Sequence, residues 1–315
     1  MSPETTPAFL VTGAGPIGST IATQLAAQGT AVTLLTRSGS GPEHPLIHRV
    51  KADAGDPAQL AAHLDGVRAV FHCVHGSAYT ERAWRAELPQ AERTVLDAAA
   101  NAGAVVVFPE SLYSYSEPQR PMREDSPREA RGGKRGVRTE LLAARAAHPA
   151  HTVSVVGSDY FGPRALNAHA GERMVPLVLE GKTVRVIGSA DQPHSWTYVP
   201  DFAAAMIAAA LNESLWDRVL HAPTGPARTQ RQMAQAFASA AGRPAPKVAV
   251  LPRWLMKGLG TVMESIRELN ELDYQFTAPF VMDSSASEAL LGFGPTPLDR
   301  AARETVSWWQ ERTAA

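Results

Sequence analysis

Three glycines with the spacing G-x-G-x-x-G lie in the segment VTGAGPIGS, from Val11 to Ser19. The apolar run AFLV precedes the segment and ATQLAAQG follows it, which is the strand–turn–helix context that a dinucleotide-binding turn requires. Gly13 permits the tight turn, Gly15 lets the backbone approach a pyrophosphate, and Gly18 permits close packing of helix on strand. The predicted cofactor contacts here are Gly13, Gly15, Pro16, Ile17 and Gly18. The alternative interpretation is a glycine turn of the same fold that binds nothing.

The end of the second predicted strand indicates which dinucleotide is bound. The sequence Leu35-Thr36-Arg37-Ser38 offers no carboxylate to the ribose 2′-hydroxyl of NAD, whereas Arg37 is suited to pairing with a 2′-phosphate. This favours NADP over NAD, with a solvated loop arginine as the alternative. Asp53, after the third strand, is placed to accept a hydrogen bond from the adenine amino group. Asp56 is expected to cap the helix that begins at Pro57.

Composition limits the class of protein. The chain has 315 residues, of which 44% are hydrophobic and 19% charged, so it can bury a core. A net charge of −1 gives no electrostatic argument for nucleic acid or an anionic membrane as partner. The single cysteine, Cys73, excludes an internal disulfide. We see no signal peptide, and no apolar run approaches the length of about 18 residues that is needed to cross a bilayer. We therefore expect a soluble, cytoplasmic protein that acts on a small molecule.

Apolar runs alternate with amphipathic segments up to about residue 160, which predicts an α/β fold with a doubly wound parallel sheet of Rossmann type. Strands are predicted at 8–12, 31–36, 48–52, 68–74, 104–108 and 152–157. Helices are predicted at 17–28, 57–64, 82–102 and 137–147.

The pattern becomes irregular after about residue 160. Helices are predicted near 200–211, 229–241, 252–269 and 300–311, and short strands at 183–188 and 219–223. We therefore expect a dinucleotide-binding domain over 1–160 and a smaller, mixed C-terminal substrate lobe over 161–315, with some segments returning to the first domain.

The order of several motifs resembles that in extended short-chain dehydrogenases/reductases, and most of all the NAD(P)-dependent epimerase/dehydratase family. The motifs are VTGAGPIGS, ADAGD, VFPESLYSYS with REDSP, SDYFGP, WTYVPDFA and GFGPTPLDRAARETVSWW. The resemblance covers nearly the whole chain and implies a Rossmann cofactor lobe, a C-terminal substrate lobe and a possible homodimer. The glycine turn is one residue shorter than in the commonest extended form, which indicates an atypical branch.

The catalytic pair that the resemblance implies is missing. In that family a tyrosine and a lysine four residues later share a helix face, and the lysine helps the phenol to move a proton at neutral pH. None of the six tyrosines of this chain is followed by lysine at that spacing. The expected window, ARGGKRGVRTELL, holds Lys134 and Arg138 at that spacing instead. The resemblance matches Ser111 to the serine that positions the substrate oxygen.

Three hypotheses follow from the missing pair. In the first, Tyr113 or Tyr115 supplies the phenol beside Ser111 and Lys134 supplies a cation or a proton; the two tyrosines face the same side if LYSYS stays extended. In the second, the enzyme acts through the positioning of cofactor and substrate with an unfamiliar acid, for which Lys134 alone is one choice. In the third, the scaffold binds a cofactor without turnover, or catalyses a non-redox elimination, isomerisation or cyclisation. The sequence GGKRG indicates a mobile loop in which Lys134 is a solvated charge. If that loop is a lid, its glycines would suit the hinges.

Four further residues are candidates for the site. Val74, after the fourth strand, is expected to line the nicotinamide side of the cofactor. Tyr160 belongs to a segment that, in the family resembled, approaches the nicotinamide. His194 and Trp196 have counterparts at the substrate site of such relatives.

Two other patterns receive structural interpretations. His72 and His75 are three positions apart on a strand, so they point to opposite faces, and we predict no metal site there. Asp201 is expected to cap the helix that follows Pro200.

Overall fold

The computed structural model describes residues 8–252 and 271–314. The strands are β1 (Phe9–Thr12), β2 (Val32–Thr36), β3 (Ile47–Lys51), β4 (Ala69–His72), β5 (Val105–Ser111), β6 (Thr152–Gly157), β7 (Asp159–Phe161), β8 (Val184–Val186), β9 (Trp196–Tyr198), β10 (Arg218–His221) and β11 (Val248–Val250). The helices are α1 (Pro16–Ala27), α2 (Pro57–Ala61), α3 (Glu81–Ala102), α4 (Gly133–Ala146), α5 (Val175–Leu179), α6 (Val199–Leu211), α7 (Gln230–Ala240), α8 (Tyr274–Thr277), α9 (Ser285–Leu291) and α10 (Leu298–Ala314). The helix predicted near 252–269 lies almost wholly outside the described residues. None of the helices in the described ranges is long and apolar enough to cross a membrane.

Seven strands form one sheet in the order β10-β6-β5-β4-β1-β2-β3. The pairs that join β3, β2, β1, β4 and β5 are parallel, and every residue of β1, β4 and β6 is buried. Helix α1 contacts β1, β2 and β3, while α3 contacts β4 and β5. The order matches that of a dinucleotide-binding sheet. The predicted doubly wound, Rossmann-type sheet is therefore confirmed.

The described residues fall into two compact units. Unit 1 contains 8–114, 134–156 and 202–220. Unit 2 contains 115–133, 157–201, 221–252 and 271–314. The strand predicted at 219–223 forms β10, the edge strand of the seven-stranded sheet. Its Leu220 is buried there, which explains the apolar residues in this strand.

Unit 2 has an aromatic core beneath two small parallel sheets, β7–β9 and β8–β11. Phe161, Trp196, Phe237 and Phe276 belong to this core and are each nearly inaccessible to solvent. Strands β7, β9 and β11 have three residues each. A strand of three residues gives only a weak alternation signal, and among the four such strands in the described residues the sequence predicts only β8, in which Val184, Arg185 and Val186 alternate.

Helix α4 begins at Gly133, four positions before the predicted start. Gly132 and Gly133 have φ angles of +69° and +54°, and they turn the chain into the helix. Lys134 therefore lies in the first helical turn, and its side chain is fully buried. The prediction of a mobile, solvated loop at GGKRG is wrong, because the two glycines lead into a helix rather than hinge a lid.

A buried ion network ties α3, β5 and α4 together in unit 1. Arg145 donates to both carboxylate oxygens of Glu92, at 2.6 and 2.7 Å, and to Glu110 Oε2 at 2.9 Å. Arg138 Nε lies 3.5 Å from Glu110 Oε1. Burial alone would raise the pKa of Glu92, but the charge and hydrogen bonds of Arg145 lower it below the usual value. The positive charges of two arginines thus offset the negative charges of two glutamates in the interior of unit 1, close to the end of β5.

His72, the last residue of β4, is buried beside this network. Its Nδ1 lies 2.8 Å from Thr12 Oγ1 on the neighbouring strand β1. Burial lowers the pKa of His72 to about 4; the charge of Glu92 opposes this shift, and the charge of Arg145 adds to it. His72 is therefore a neutral residue of the sheet. In the described ranges, no three His, Cys, Asp or Glu side chains gather where they would hold a metal ion.

We expect the protein to lose stability between pH 6.5 and pH 4 because His72 resists protonation in the folded state. The unfolded chain takes up this proton near the ordinary pKa of 6.5, so the unfolded state binds more protons and the free energy of unfolding falls as the pH falls. One histidine with these values accounts for a loss of about 2 kcal/mol between pH 7 and pH 5. Urea unfolding at the two pH values, in the parent and in His72→Asn, measures it. Equal losses in both proteins would contradict the assignment.

Candidate active site

The candidate residues of unit 1 lie where parallel strands end. Gly13 follows β1, Arg37 follows β2, Asp53 follows β3, and Val74 comes two residues after β4. Ser111 is the last residue of β5. Parallel strands bring their carboxyl ends to one edge of the sheet, and ligands of such sheets bind at that edge. The fold therefore brings these five residues to a single edge of unit 1.

The glycine turn has the shape that a bound pyrophosphate needs. Gly13 has φ +92°, and a Cβ atom there would lie 2.7 Å from the carbonyl oxygen of Cys73. A Cβ atom on Gly18 would lie 2.0 Å from the carbonyl oxygen of Gly13, so neither position accepts a side chain. A Cβ atom on Gly15, in contrast, would have no described atom within 4 Å. The turn thus needs glycine at two positions for folding and leaves open space at the third.

Helix α1 adds an electrostatic component to that space. Gly15 is its N-cap and makes no side-chain capping bond, Pro16 occupies its first turn, and that turn contains no acidic residue. The first amides of a helix and its dipole favour a bound anion. Together with the opening at Gly15, these features fit the pyrophosphate of a dinucleotide, whereas Ile17 is buried and acts as packing.

The two predicted nucleotide contacts beyond the turn differ in their surroundings. Arg37 is exposed at the end of β2. The Asp53 backbone amide donates to Gln59 Oε1 at 3.0 Å, and its carboxylate accepts from the amide of Gly55 at 2.9 Å. Asp56 accepts from the amides of Ala58 and Gln59, so the predicted cap of α2 is confirmed.

Ser111 is held by the buried residue that precedes it. Its backbone amide donates to Glu110 Oε1 at 2.8 Å, and its hydroxyl lies 3.4 Å from the same oxygen. Glu110 is in turn fixed by Arg145. The ion network therefore sets the position of Ser111 at the edge of the sheet.

Tyr113, which lies two residues after Ser111, belongs to a cluster of aromatic and basic side chains. The residues Leu112–Ser114 form a single 3-10 turn, so the segment does not stay extended beyond Ser111. Tyr113 forms a short hydroxyl–hydroxyl hydrogen bond with Tyr79, and its ring lies nearly parallel to that of Trp84. Lys134 Nζ lies 5.1 Å from the centroid of the Tyr79 ring. Tyr79 has no signal in the sequence, because neither its spacing nor its neighbours resemble a motif.

Tyr115 has a different environment from Tyr113. It belongs to unit 2 and is fully buried, and its hydroxyl lies 2.6 Å from His221 Nε2. His221 Nδ1 lies 2.8 Å from the carbonyl oxygen of Asp283, which fixes the ring. The condition under which the two tyrosines would face one side, an extended segment, is not met, because Leu112–Ser114 form a 3-10 turn. The structure gives Tyr115 a packing role.

His194, the first predicted substrate residue, is an interior residue of unit 2. Its Nε2 lies 2.7 Å from Asp159 Oδ2 and its Nδ1 lies 3.0 Å from the carbonyl oxygen of Gln275. Both ring nitrogens of His194 therefore have a hydrogen-bond partner within unit 2. Its ring is stacked between Phe276 and Phe280. This differs from the predicted role, because no polar atom of His194 remains for a substrate.

Trp196, the second predicted substrate residue, lines a cavity of about 280 Å³ within unit 2. Its Nε1 donates to the carbonyl oxygen of Arg228 at 2.8 Å, which fixes the indole at the cavity wall. Asp201 lines the same cavity and accepts from the amide and hydroxyl of Thr296, both at 2.7 Å. The prediction that Asp201 caps a helix is wrong, since its carboxylate instead anchors the segment before α10. Tyr160 is a partly buried residue of β7.

A comparison with protein-family models decides the family. Residues 9–217 match the model of the NAD dependent epimerase/dehydratase family. The chain belongs to this family. The match starts at β1 and ends between α6 and β10, so it includes the glycine turn, Ser111 and α4. No curated protein sequence matches the chain.

Several solved structures have a similar fold. A double mutant of DesIV, a dTDP-glucose 4,6-dehydratase from Streptomyces venezuelae, is 19% identical, with 97% of this chain and 98% of that chain covered and a TM-score of 0.72. The UDP-glucose 4-epimerase of Thermotoga maritima is 17% identical, with 97% and 99% covered and a TM-score of 0.75. The enzyme WbmG of Bordetella bronchiseptica, solved with NAD and UDP, is 18% identical, with 99% and 96% covered and a TM-score of 0.74.

This epimerase/dehydratase family member carries Lys134 and Arg138 on α4 at the four-residue spacing. Lys134 faces the ring of Tyr79, and the Arg138 guanidinium lies 4.6 Å from the centroid of the Trp84 ring. The first turns of α4 therefore present two cations to the aromatic cluster, while the hydroxyl groups come from other segments.

Proposed function

We propose that the protein is an NADP-dependent oxidoreductase or epimerase/dehydratase-like enzyme that acts on a small metabolite with a hydroxyl or carbonyl group. One observation carries the proposal. The glycine turn, with its open space at Gly15, lies at the same sheet edge as Ser111, and Tyr113 lies two residues after Ser111 in the 3-10 turn. A dinucleotide site and a hydroxyl-bearing site at one edge of a sheet are the parts that hydride transfer needs.

A bound nicotinamide dinucleotide supplies the hydride acceptor or donor. The chain's own residues handle the substrate oxygen and its proton. Ser111, fixed by Glu110, is proposed to donate a hydrogen bond that orients the reacting oxygen. Tyr113 is proposed to take the hydroxyl proton as the adjacent carbon loses its hydride and the carbon–oxygen double bond forms; the reverse step returns that proton. The fully buried Lys134 is proposed to supply positive charge to the cluster.

Arg37 is proposed to select NADP. The names of the similar solved structures mention NAD for DesIV and WbmG. In this chain the end of β2 carries an exposed arginine and no carboxylate. Arginine pairs with a phosphate through two parallel hydrogen bonds, whereas the ribose 2′-hydroxyl of NAD prefers an acidic acceptor at this position.

Calorimetric titration of NADPH and NADH tests the nucleotide site. We expect the parent to bind NADPH more tightly than NADH, and Arg37→Ala to weaken NADPH binding about 10-fold to 100-fold, which is the value of one hydrogen bond between charged groups. NADH binding should change little. Arg120→Ala, which removes an exposed arginine of unit 2 that pairs with Glu117, is the matched control.

Two other outcomes of this titration would contradict the NADP assignment or the whole proposed function. Preference for NADH in the parent, unaffected by Arg37→Ala, would contradict the NADP assignment and leave hydride transfer in place. Failure of the parent to bind either nucleotide would contradict the proposed function itself.

On the substrate side, we propose that Trp196 contacts the substrate and that His194 does not. Trp196 presents its indole to a cavity in unit 2, whereas the His194 side chain is 1% exposed and has both ring nitrogens bonded. The names of the similar solved structures mention dTDP-glucose and UDP-glucose. Nucleotide sugars and smaller hydroxyl-bearing metabolites are accordingly the two substrate classes to screen first.

A further inference from the structure

Three segments of unit 1 meet at the side chain of Tyr79. Tyr79 lies in the loop between β4 and α3, Tyr113 in the 3-10 turn after β5, and Lys134 in the first turn of α4. The distances along the chain are 34 residues between the two tyrosines and 21 residues from Tyr113 to Lys134. No linear motif brings such residues together, so their contact is a property of the fold.

Tyr79 contacts both of the other residues. The hydroxyl groups of Tyr79 and Tyr113 share a short hydrogen bond. Lys134 Nζ lies 5.1 Å from the centroid of the Tyr79 ring, over its face. Because the Lys134 side chain is fully buried, its charge acts on the phenols with little screening by solvent. Tyr79 is 38% exposed, so the pair remains open to solvent on one side.

The buried indole of Trp84 holds both phenols in place. The Tyr79 ring meets it edge-on at 5.3 Å between centroids, and the Tyr113 ring lies nearly parallel to it at 6.2 Å. Arg135 Nε donates to the backbone carbonyl oxygen of Tyr113 at 3.3 Å, which ties the 3-10 turn to α4. The geometry of the pair is therefore set by packing on several sides rather than by one hydrogen bond.

We propose that Tyr79 is a positioning residue that, together with Lys134, stabilises the ionised form of the Tyr113 hydroxyl. When Tyr113 gives up its proton, the Tyr79 hydroxyl donates a hydrogen bond to the phenolate, and the buried ammonium group stabilises the negative charge. Three segments then perform the task that a tyrosine and a lysine on one helix perform in a Tyr-x-x-x-Lys pair. The use of this arrangement in catalysis rests on the proposed function, whereas the arrangement itself does not.

Titration of the tyrosine side chains by NMR tests the proposal without substrate or cofactor. The whole protein is labelled with ¹³Cζ-tyrosine, and its six tyrosine resonances are assigned through single Tyr→Phe variants. In Tyr79→Phe and in Lys134→Met we expect the Tyr113 resonance to titrate about one pH unit or more above its midpoint in the parent, since each variant removes one interaction with the charged form. Tyr79→Phe removes a single oxygen and keeps the ring packing.

Two control variants separate this effect from a general perturbation. Lys182→Met removes an exposed lysine of unit 2, and Tyr274→Phe removes a hydroxyl of unit 2 that the proposed mechanism does not use. Both should leave the Tyr113 midpoint unchanged. A Tyr113 midpoint that is the same in the parent and in Tyr79→Phe, in protein with parent-like circular dichroism, would overturn the proposal. So would a shift of equal size in the two controls.

The NMR titration tests the coupling of the tyrosines and the calorimetry tests the nucleotide site, so either proposal can fail while the other stands. If the parent binds no dinucleotide but the Tyr113 midpoint responds to Tyr79→Phe and Lys134→Met, the proposed function fails and the coupling stands. If NADPH binds as expected and the midpoint does not respond, the coupling fails and the nucleotide site stands.

Discussion

Replacement of Gly15 by alanine is expected to weaken NADPH binding on the order of 100-fold, because a methyl group would occupy the space where the pyrophosphate approaches the backbone and its hydrogen bonds would be lost. The fold should tolerate the change. Gly15 has φ −68°, which any residue adopts, and the added carbon would meet no described atom within 4 Å. Calorimetry for binding and urea unfolding for stability measure the two effects separately.

Gly18→Ala is the matched comparison for Gly15→Ala. The same methyl group at this position would lie 2.0 Å from the carbonyl oxygen of Gly13, so the turn or the helix must move. We expect Gly18→Ala to lower the free energy of unfolding clearly and Gly15→Ala to change it by less than about 1 kcal/mol. NADPH binding at parent strength by Gly15→Ala would show that the pyrophosphate does not lie over this residue.

Replacement of Arg145 by leucine is expected to lower the free energy of unfolding by about 3–5 kcal/mol, the usual cost of removing one partner from a buried ion pair. Glu92 would lose both of its hydrogen bonds from Arg145, and Glu110 would lose its hydrogen bond at 2.9 Å. Both carboxylates lie in the interior of unit 1. Urea unfolding at pH 7 measures the loss, which is a large fraction of the stability of most proteins.

Arg85→Leu provides the control for Arg145→Leu. Arg85 pairs with Glu81 and Glu140, and all three side chains are largely exposed. Exposed ion pairs contribute about 0–1 kcal/mol each, so a much smaller loss is expected. Similar losses in the two variants would mean that the interior network is not held by Arg145.

The sheet and the glycine turn were predictable because their signals are local. Buried parallel strands appear in the sequence as continuous apolar runs. The turn after β1 combines three glycines with a strand before it and a helix after it. The Asp56 cap was predictable for the same reason, since a cap and its amides lie within three residues. These features depend on the immediate neighbours of each residue, which the sequence contains.

The chemistry of the candidate site was less predictable because it depends on distant residues. Glycines before a helix and glycines in a loop look alike, so Lys134 was placed in solvent although its side chain is fully buried. Tyr79 meets Tyr113 only through the packing of separate segments on Trp84. His194 was predicted to contact substrate because its place in the motif order is near such residues, and only the structure shows the carboxylate of Asp159 on its ring.

The position of β10 has a consequence for how the chain acquires its structure during synthesis. This strand, Arg218–His221, borders β6 in the seven-stranded sheet, so the sheet lacks this edge strand until more than two thirds of the chain has left the ribosome. Until then β6 would present unpaired backbone groups, which is the condition under which nascent sheets pair with the wrong partner. A gene fragment that stops at residue 160 would keep this edge permanently open, whereas one that continues through His221 supplies the strand that closes it.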